Sequence, residues 1–597
     1  MYQYMTDAEK MDETVLPPKS AFYDALTETD VSDSDYERAQ KVWTHFNMST
    51  IRDYHDLYVT MDTLQLADVF QTFRKMIMET HRIDCLHYVS LSGLALDLAL
   101  KITDIRIGLI TDIDAYLFVE SAIRGGLSCV SKRYAKSNLP EFTDYDPNRP
   151  KSYLAYWDAN SLYGTTQTYS LPVGNFRFLD DDEIEAFDVN SVGDDSPIGY
   201  FVEVDLIYDA SLHDKHNLYP LAPTHKRVDF ELLSSTQREM LYAIGDDRYR
   251  PETKLISDLT DKFNYVTHYR CLKFYLQQGL RLAKIHRVLA FDQKAFMTPF
   301  IKYCNEMRKN AKTEFESNLW KLFPNSTYGK CIENVRNRIN LRLIVDKMKL
   351  TRAAAKASFK RAEIINEDLV LVETARVRVK LCKPIAVGVT ILELSKLIMF
   401  DFYYNCIQPK FGQRMELCLT DTDSFICHIQ SDDLHAEMAD MRDRFDTSNF
   451  SLTHPLYSTA NKRALGKFKS ETGDVIPLEL CALRSKMYSL LTDTDEHKRA
   501  KGIPKFYVKR RLKHEDYLRV LDDWRPTRCE FQTFRSRRHV VTTRKMRKLS
   551  LSCFDTKRYL LADGITSLAY GHWRINGGHP PQGGAPGGAA PPLLGKG

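Results

Sequence analysis

The sequence predicts an α+β protein built from several subdomains, and three observations carry that expectation. Residues Met415 to Ile429 alternate apolar and polar side chains on both sides of a tight acidic turn, the signature of two antiparallel strands. Elsewhere apolar residues recur at helical spacing, as in Tyr58 to Ile77 and Ile385 to Phe400. At 597 residues the chain also exceeds what one ordinary hydrophobic core can organise.

Composition narrows the class. Hydrophobic residues make up 43% and charged residues 27%, the balance of a globular chain rather than a disordered one. The net charge is only +4, but it is unevenly spread. The first forty residues are mostly acidic, whereas between Arg499 and Lys548 Lys and Arg outnumber Asp and Glu several-fold, which suits contact with a polyanion. The 12 Cys form no Cys-x-x-Cys pair and do not cluster with His, which argues against zinc sites and disulfides and for an intracellular setting. No basic and apolar leader opens the chain, and Glu393 and Lys396 interrupt its most apolar segment, so neither a secretory signal nor a membrane segment is expected.

Taken in order, the first readable element is a helix from Tyr58, with Leu66, Val69, Phe70, Phe73 and Ile77 on one face. Asp62 near its start reads as an acid favoured by the helix dipole, or as half of a Tyr58–Asp62 metal pair that needs partner carboxylates. In IRGGLSCVSKRYAK, Gly125 and Gly126 permit close backbone approach to a ligand, with Arg124, Lys132, Arg133, Lys136 and Tyr134 around them. SYLAYWDANSLYG reads as a central strand that delivers Asp158 to a sheet edge. The turn Asn160-Ser161-Leu162 then offers backbone N–H groups to an anion, with the ring of Tyr163 beside them.

Lys302 to Lys330 is a cation-rich helical or helical-hairpin pattern. Arg308 and Lys312 share one face, and Lys321, Asn325 and Tyr328 share another, a stripe that suits a triphosphate and a base. A solvated basic face is the alternative. A basic stretch to Pro384 and the apolar helix lead to LCLTDTDSF, where Asp421 and Asp423 form a hairpin tip that presents oxygen ligands to a hard cation such as Mg²⁺. Downstream, LGKFKSE is followed by RSKMYSL, which reads as a strand with Lys486 and Tyr488 on one side. The Gly/Pro/Ala tail 576–597 is expected to be disordered.

In this order the motifs resemble those of protein-primed family B DNA polymerases, the branch found in viruses, linear plasmids and Maverick/Polinton-type transposons. DANSLYG is similar to the first palm motif, KLFPNSTYG to the Lys-x-x-x-Asn-Ser-x-Tyr-Gly fingers motif, TDTDS to the second palm motif and SKMY to the Lys-x-Tyr motif. IRGG resembles the Gly-Gly template-binding motif, and YVTMD the third motif of the proofreading exonuclease. The resemblance runs from about Tyr58 to Ile575 and implies a right hand, with an antiparallel-sheet palm, helical fingers and a small thumb. It divides the chain into an exonuclease-like remnant (1–120), a template-binding loop with the first palm segment (121–195), a first insertion (196–295), fingers (296–334), a second insertion (335–384), palm (385–490), thumb and C-terminal DNA-binding region (491–575) and tail.

The same resemblance implies the chemistry. DNA-directed synthesis from dNTPs would use two Mg²⁺ ions, with Mn²⁺ as the alternative, held by Asp158 and Asp423 with Asp421 in support. Asn160, Ser161, Leu162, Arg308, Lys309, Lys312 and Lys321 would hold the triphosphate, and Tyr163, Asn325 and Tyr328 the sugar and base. Arg124, Gly125, Gly126, Lys486 and Tyr488 would contact template and primer. A terminal protein that primes synthesis is a further implied partner, and the nucleus or another site of DNA replication the implied location. Two departures stand out. The first two exonuclease carboxylate motifs have no convincing counterpart before Tyr58, so no 3′ to 5′ exonuclease is expected. Pro324 lies inside the fingers motif, where it would re-aim Asn325 and Tyr328 relative to Lys321. A catalytically silent DNA-binding relic therefore stands as the runner-up, and an Asp-x-Asp sugar transferase fits only the acidic turn.

Overall fold

Strands drawn from residues 128 to 470 meet in one six-stranded sheet that the rest of the chain surrounds. The computed structural model describes residues 4–5, 7–245, 249–537 and 540–577, so the expected disordered tail lies, from residue 578 on, outside the described residues. In spatial order the strands are Ser128–Val130, Met415–Asp421, Ser424–Gln430, Ser152–Ala159, Phe468–Ser470 and Phe445–Asp446. All neighbours pair antiparallel except the last two. The expected acidic hairpin is its centre, with Thr420 opposite Phe425.

Helix Ile385–Asp401 packs against strands Leu171–Phe178 and Lys262–His268 and the neighbouring helices, and only its last turn, with Met399 and Phe400, joins the core beneath the six-stranded sheet. Its spacing predicts an amphipathic helix, but Ile385 through Lys396 are all buried, Glu393 and Lys396 included. Those two charges are tolerated because they pair: Lys396 Nζ lies 3.1 Å from Glu393 Oε1, and the Thr267 hydroxyl donates to Glu393 Oε2 at 2.7 Å. The helix continues into a π-helical turn, Phe402–Ile407, just before Pro409, whose missing N–H prevents regular continuation. The turn places Phe402 flat on Phe468, with centroids 3.5 Å apart, between sheet and helix.

A second, four-stranded sheet joins Tyr134–Lys136, Glu479–Arg484, Met487–Leu491 and Glu496–Ala500, with Tyr517, Val520 and Leu521 of helix His514–Asp523 in its core. A third joins Leu171–Phe178, Arg281–Lys294, Ile198–Ile207 and Lys262–His268, reaching back before residue 196 for its first strand. Helices Thr298–Lys309 and Glu314–Cys331 form an antiparallel hairpin, and residues 340–374 form a separate three-stranded sheet with a short helix.

Helix Ile51–His81 starts at a Thr50/Asp53 capping box, and its lower end packs Phe73 and Ile77 against the core. Its expected apolar face is only partly used, because Leu66 is 70% and Val69 57% exposed and Phe70 is also at the surface. Among the described residues no helix is long and apolar enough to cross a membrane.

Candidate active site

Asp158 lies in strand Ser152–Ala159 and Asp423 in the turn immediately before the adjacent strand Ser424–Gln430, so strand pairing sets the two side by side. Asp158 sits opposite Ser424 on one side and Lys469 on the other. The main chain at Asp423 is tied to the same strand by the Ala159 N–H, which donates to the Asp423 carbonyl at 2.7 Å. The turn between Asp421 and Asp423 is tight, with the Asp423 N–H donating to the Asp421 carbonyl at 2.9 Å. Thr422 at its apex has a φ of 70°, unusual for a β-branched residue.

Gly126 explains how that turn is held. A Cβ on Gly126 would lie 2.5 Å from Thr422 Cγ2, and the Thr422 N–H donates to the neighbouring Leu127 carbonyl at 2.6 Å. Gly125 is exposed, with open space around it. The cations expected around the glycines are mostly used within the fold. Arg124 is buried, stacks on Tyr265 and donates to the Val266 carbonyl at 2.8 Å, so it packs the interior rather than facing DNA. Lys132 pairs with Glu416, Lys136 with Asp144, and Arg133 is buried.

The electrostatics of the pair follow from crowding. Burial, the charge of Asp423 and that of Glu471 push the Asp158 carboxyl up to about 8, while Lys321 and Lys469 pull the other way. Burial also raises Asp423, with Asp421 adding repulsion and Lys486 and Lys321 opposing it. Asp421 is itself engaged, its Oδ1 lying 2.5 Å from Lys486 Nζ. Among the described residues no three Asp, Glu, His or Cys side chains converge to enclose a metal. Two repelling, half-buried carboxylates fit Mg²⁺, which uses one or two carboxylates and takes its other ligands from water and substrate phosphate.

The aromatic and basic stripe converges on the same place. Tyr163 and Tyr328 stack with centroids 4.1 Å apart, so the first palm-like motif meets the Pro324 helix directly. Helix Glu314–Cys331 runs through Pro324 without interruption, which keeps Lys321, Asn325 and Tyr328 on one stripe, contrary to the re-aiming expected from the proline. Gln167, fully buried, donates through Nε2 to the carbonyls of Tyr163 and Pro324, both at 3.0 Å. Arg308, Lys309 and Lys312 lie elsewhere, at the tip of the helical hairpin.

The Asn160 turn differs in detail from its reading as an anion nest. The Asn160 N–H is taken by the Lys467 carbonyl at 2.8 Å, and the Asn160 side chain donates to Asp446 Oδ2 at 2.8 Å. Ser161 has a φ of 50° and leads into a short helix, and Leu162 is buried in the core. Lys486 is not in a strand but in the turn before Met487–Leu491, with a φ of 60°. Tyr488 is buried, its hydroxyl 3.1 Å from that of Tyr156, so only Lys486 of the expected pair has its charge beside the acidic turn. At the front of the chain, Tyr58 and Asp62 interact with each other on an exposed helix.

Sequence reasoning missed Lys469, Glu471 and Asp446, which reach the site through strand pairing and loop contacts. The signal available was the alternation of LGKFKSE, which reads as a short strand with Lys467, Lys469 and Glu471 on one side.

With this geometry in place, comparison with known proteins is decisive at the family level. A family model described as DNA polymerase type B, organellar and viral, matches residues 25–383. The chain belongs to that family. The match contains Asp158 and Lys321 but stops short of the acidic turn, so the placement of Asp421 and Asp423 in this polymerase rests on the strand pairing above. No curated protein matches the polymerase in sequence. Among solved structures it is similar to phi29 DNA polymerase complexed with primer-template DNA, at 13% identity and a TM-score of 0.47, covering 80% of this chain and 70% of that one. For the phi29 complex with primer-template DNA and incoming nucleotides the values are 14%, 0.47, 80% and 69%.

Proposed function

We propose that this type B polymerase extends a DNA primer from dNTPs by nucleotidyl transfer at Asp158 and Asp423. The observation that carries the proposal is the convergence of Asp158, on its strand, and Asp423, in the turn that opens the neighbouring strand, with Lys321 facing both. Mg²⁺ held by Asp158 and Asp423 would activate the primer hydroxyl and neutralise the triphosphate. Lys321 supplies fixed positive charge to the phosphates, and the Tyr163–Tyr328 stack forms a flat wall for the sugar and base of the incoming nucleotide. Lys486 balances Asp421, so that Asp421 supports the turn while Asp158 and Asp423 face the reaction. The six-stranded sheet acts as the palm, the helical hairpin at Pro324 as the fingers, and the sheet of residues 340–374 as the second insertion of a protein-primed enzyme.

The test is extension of a primed template by the purified protein with Mg²⁺, alongside Asp158→Ala and Asp423→Ala. Extension by the wild type and a loss of at least about a thousandfold in each variant is expected, because charge stabilisation supplies most of the rate. Equal extension by all three would sink the assignment. Salt-sensitive DNA binding without incorporation by the wild type would instead identify a silent relative.

A further inference from the structure

A second cationic cleft begins one helical turn from Lys321, at Ser317. The tip of the helical hairpin contributes Arg308, Lys309, Lys312 and Ser317, and the loop before Phe468 contributes Lys462 and Arg463, around a space of about 800 Å³. Glu314 is the one carboxylate in this lining. Among the described residues none of the five cations is in an ion pair. Arg308 Nε is buried without a hydrogen-bond partner, and the charge of Arg463 adds to burial in disfavouring the Arg308 guanidinium. Cations that repel one another around an orphaned donor are satisfied by an anion.

Two connections place that anion in line with the reaction. Ser317 precedes Lys321 by four residues, so on a helix the two side chains are neighbours, about 5–6 Å apart, and Lys321 faces Asp158 and Asp423. The facing loop is fastened to the turn after Asp158. Asp446 Oδ2 accepts from the Asn160 side chain and from the Arg463 N–H, each at 2.8 Å, and the Gly466 N–H donates to the Asn160 carbonyl at 3.1 Å.

From this placement we infer that Lys462 and Arg463 form a second wall of the polyphosphate site, gripping the terminal phosphates of the incoming nucleotide and the pyrophosphate it leaves. The inference rests on the proposed nucleotidyl transfer and adds to it residues from outside the fingers. A polyphosphate is favoured over a DNA strand because both walls of the cleft are continuous with the reacting centre, through Ser317 and Lys321 on one side and through Asp446 and Asn160 on the other.

The double variant Lys462→Gln/Arg463→Gln tests it. The KM for dNTP and the pyrophosphate concentration needed for the reverse reaction should both rise about tenfold or more, since each lost contact is a charge-assisted hydrogen bond. The primer-template Kd should stay within about twofold, and Lys462→Arg/Arg463→Lys should restore both constants. A weakened primer-template Kd with an unchanged KM would assign the cleft to a DNA strand and overturn the inference, as would no change in any constant. Calorimetric titration with inorganic tripolyphosphate separates the two levels. If the wild type fails to extend primers but binds tripolyphosphate more tightly than the double variant, the transfer reading fails and the cleft stands; equal binding overturns the cleft.

Discussion

At the scale of single residues, the acidic turn is strained at Thr422. A β-branched residue at a φ of 70° costs roughly 1–3 kcal/mol, and such strain persists only where neighbours impose it. Leu127 imposes it through the hydrogen bond to the Thr422 N–H, and Gly126 makes room for the side chain. Gly126→Ala would therefore drive a methyl group into Thr422 and displace the Asp421–Asp423 turn. We expect kcat for primer extension to fall about a hundredfold, the usual effect of a misplacement near 1 Å, with primer-template affinity little changed. Gly126→Ala combined with Thr422→Gly should recover most of the rate, because the second change removes both the clash and the cost of the positive φ. Wild-type turnover in the single variant would refute this account of the second glycine.

At the scale of elements, what could be read from the sequence was what local periodicity encodes. The alternation around TDTD gave the hairpin, and the spacing from Tyr58 and from Ile385 gave helices. Which faces those helices bury was not legible, because that depends on partners distant in the chain. The clearest case is Glu393 and Lys396, which read as polar interruptions and are the most buried charges of the central helix. Lys396 also donates to the Arg124 carbonyl at 3.1 Å, so the pair steadies the segment that carries Gly126. Burial pushes the Glu393 carboxyl up, but Lys396, Arg124 and the Thr267 hydroxyl outweigh it and hold its pKa below the ordinary value. The pair therefore stabilises the fold at neutral pH, above the pKa of an unfolded glutamate, and that contribution is lost only as pH falls through the lowered value. Lys396→Met should destabilise by about 3–5 kcal/mol at pH 8, since it leaves a buried carboxylate without its ammonium. In that variant protonation of Glu393 becomes favourable, so the deficit should shrink when urea unfolding is repeated at pH 5. A Glu393→Leu/Lys396→Met double variant should recover much of the loss, and a deficit independent of pH would refute the assignment.

At the scale of the whole molecule, the order of the motifs along the chain was legible, while their assembly was not. The central sheet takes its strands from five separated stretches between Ser128 and Ser470, and no local pattern encodes which strand lies next to which. Insertions are tolerated between such strands when their ends return to the same place, and residues 340–374 meet that condition. Asn340 pairs with Thr374, and the Asn340 side chain donates to the Thr374 hydroxyl at 2.7 Å. Within this lobe Val372 is fully buried, whereas Leu343, Val345, Met348 and Ile364 are more than 60% exposed, so little of it supports the remaining core. Replacing residues 341–373 with a short Asn-Gly turn should leave a folded protein that still extends a primer on an open single-stranded template. If the lobe acts on DNA as the second insertion of a protein-primed enzyme, the same deletion should abolish extension through a downstream duplex and shorten products made in one binding event. Full strand displacement by the deletion variant would remove that role from the lobe, and loss of the folded protein would show that its thin core is coupled to the palm after all.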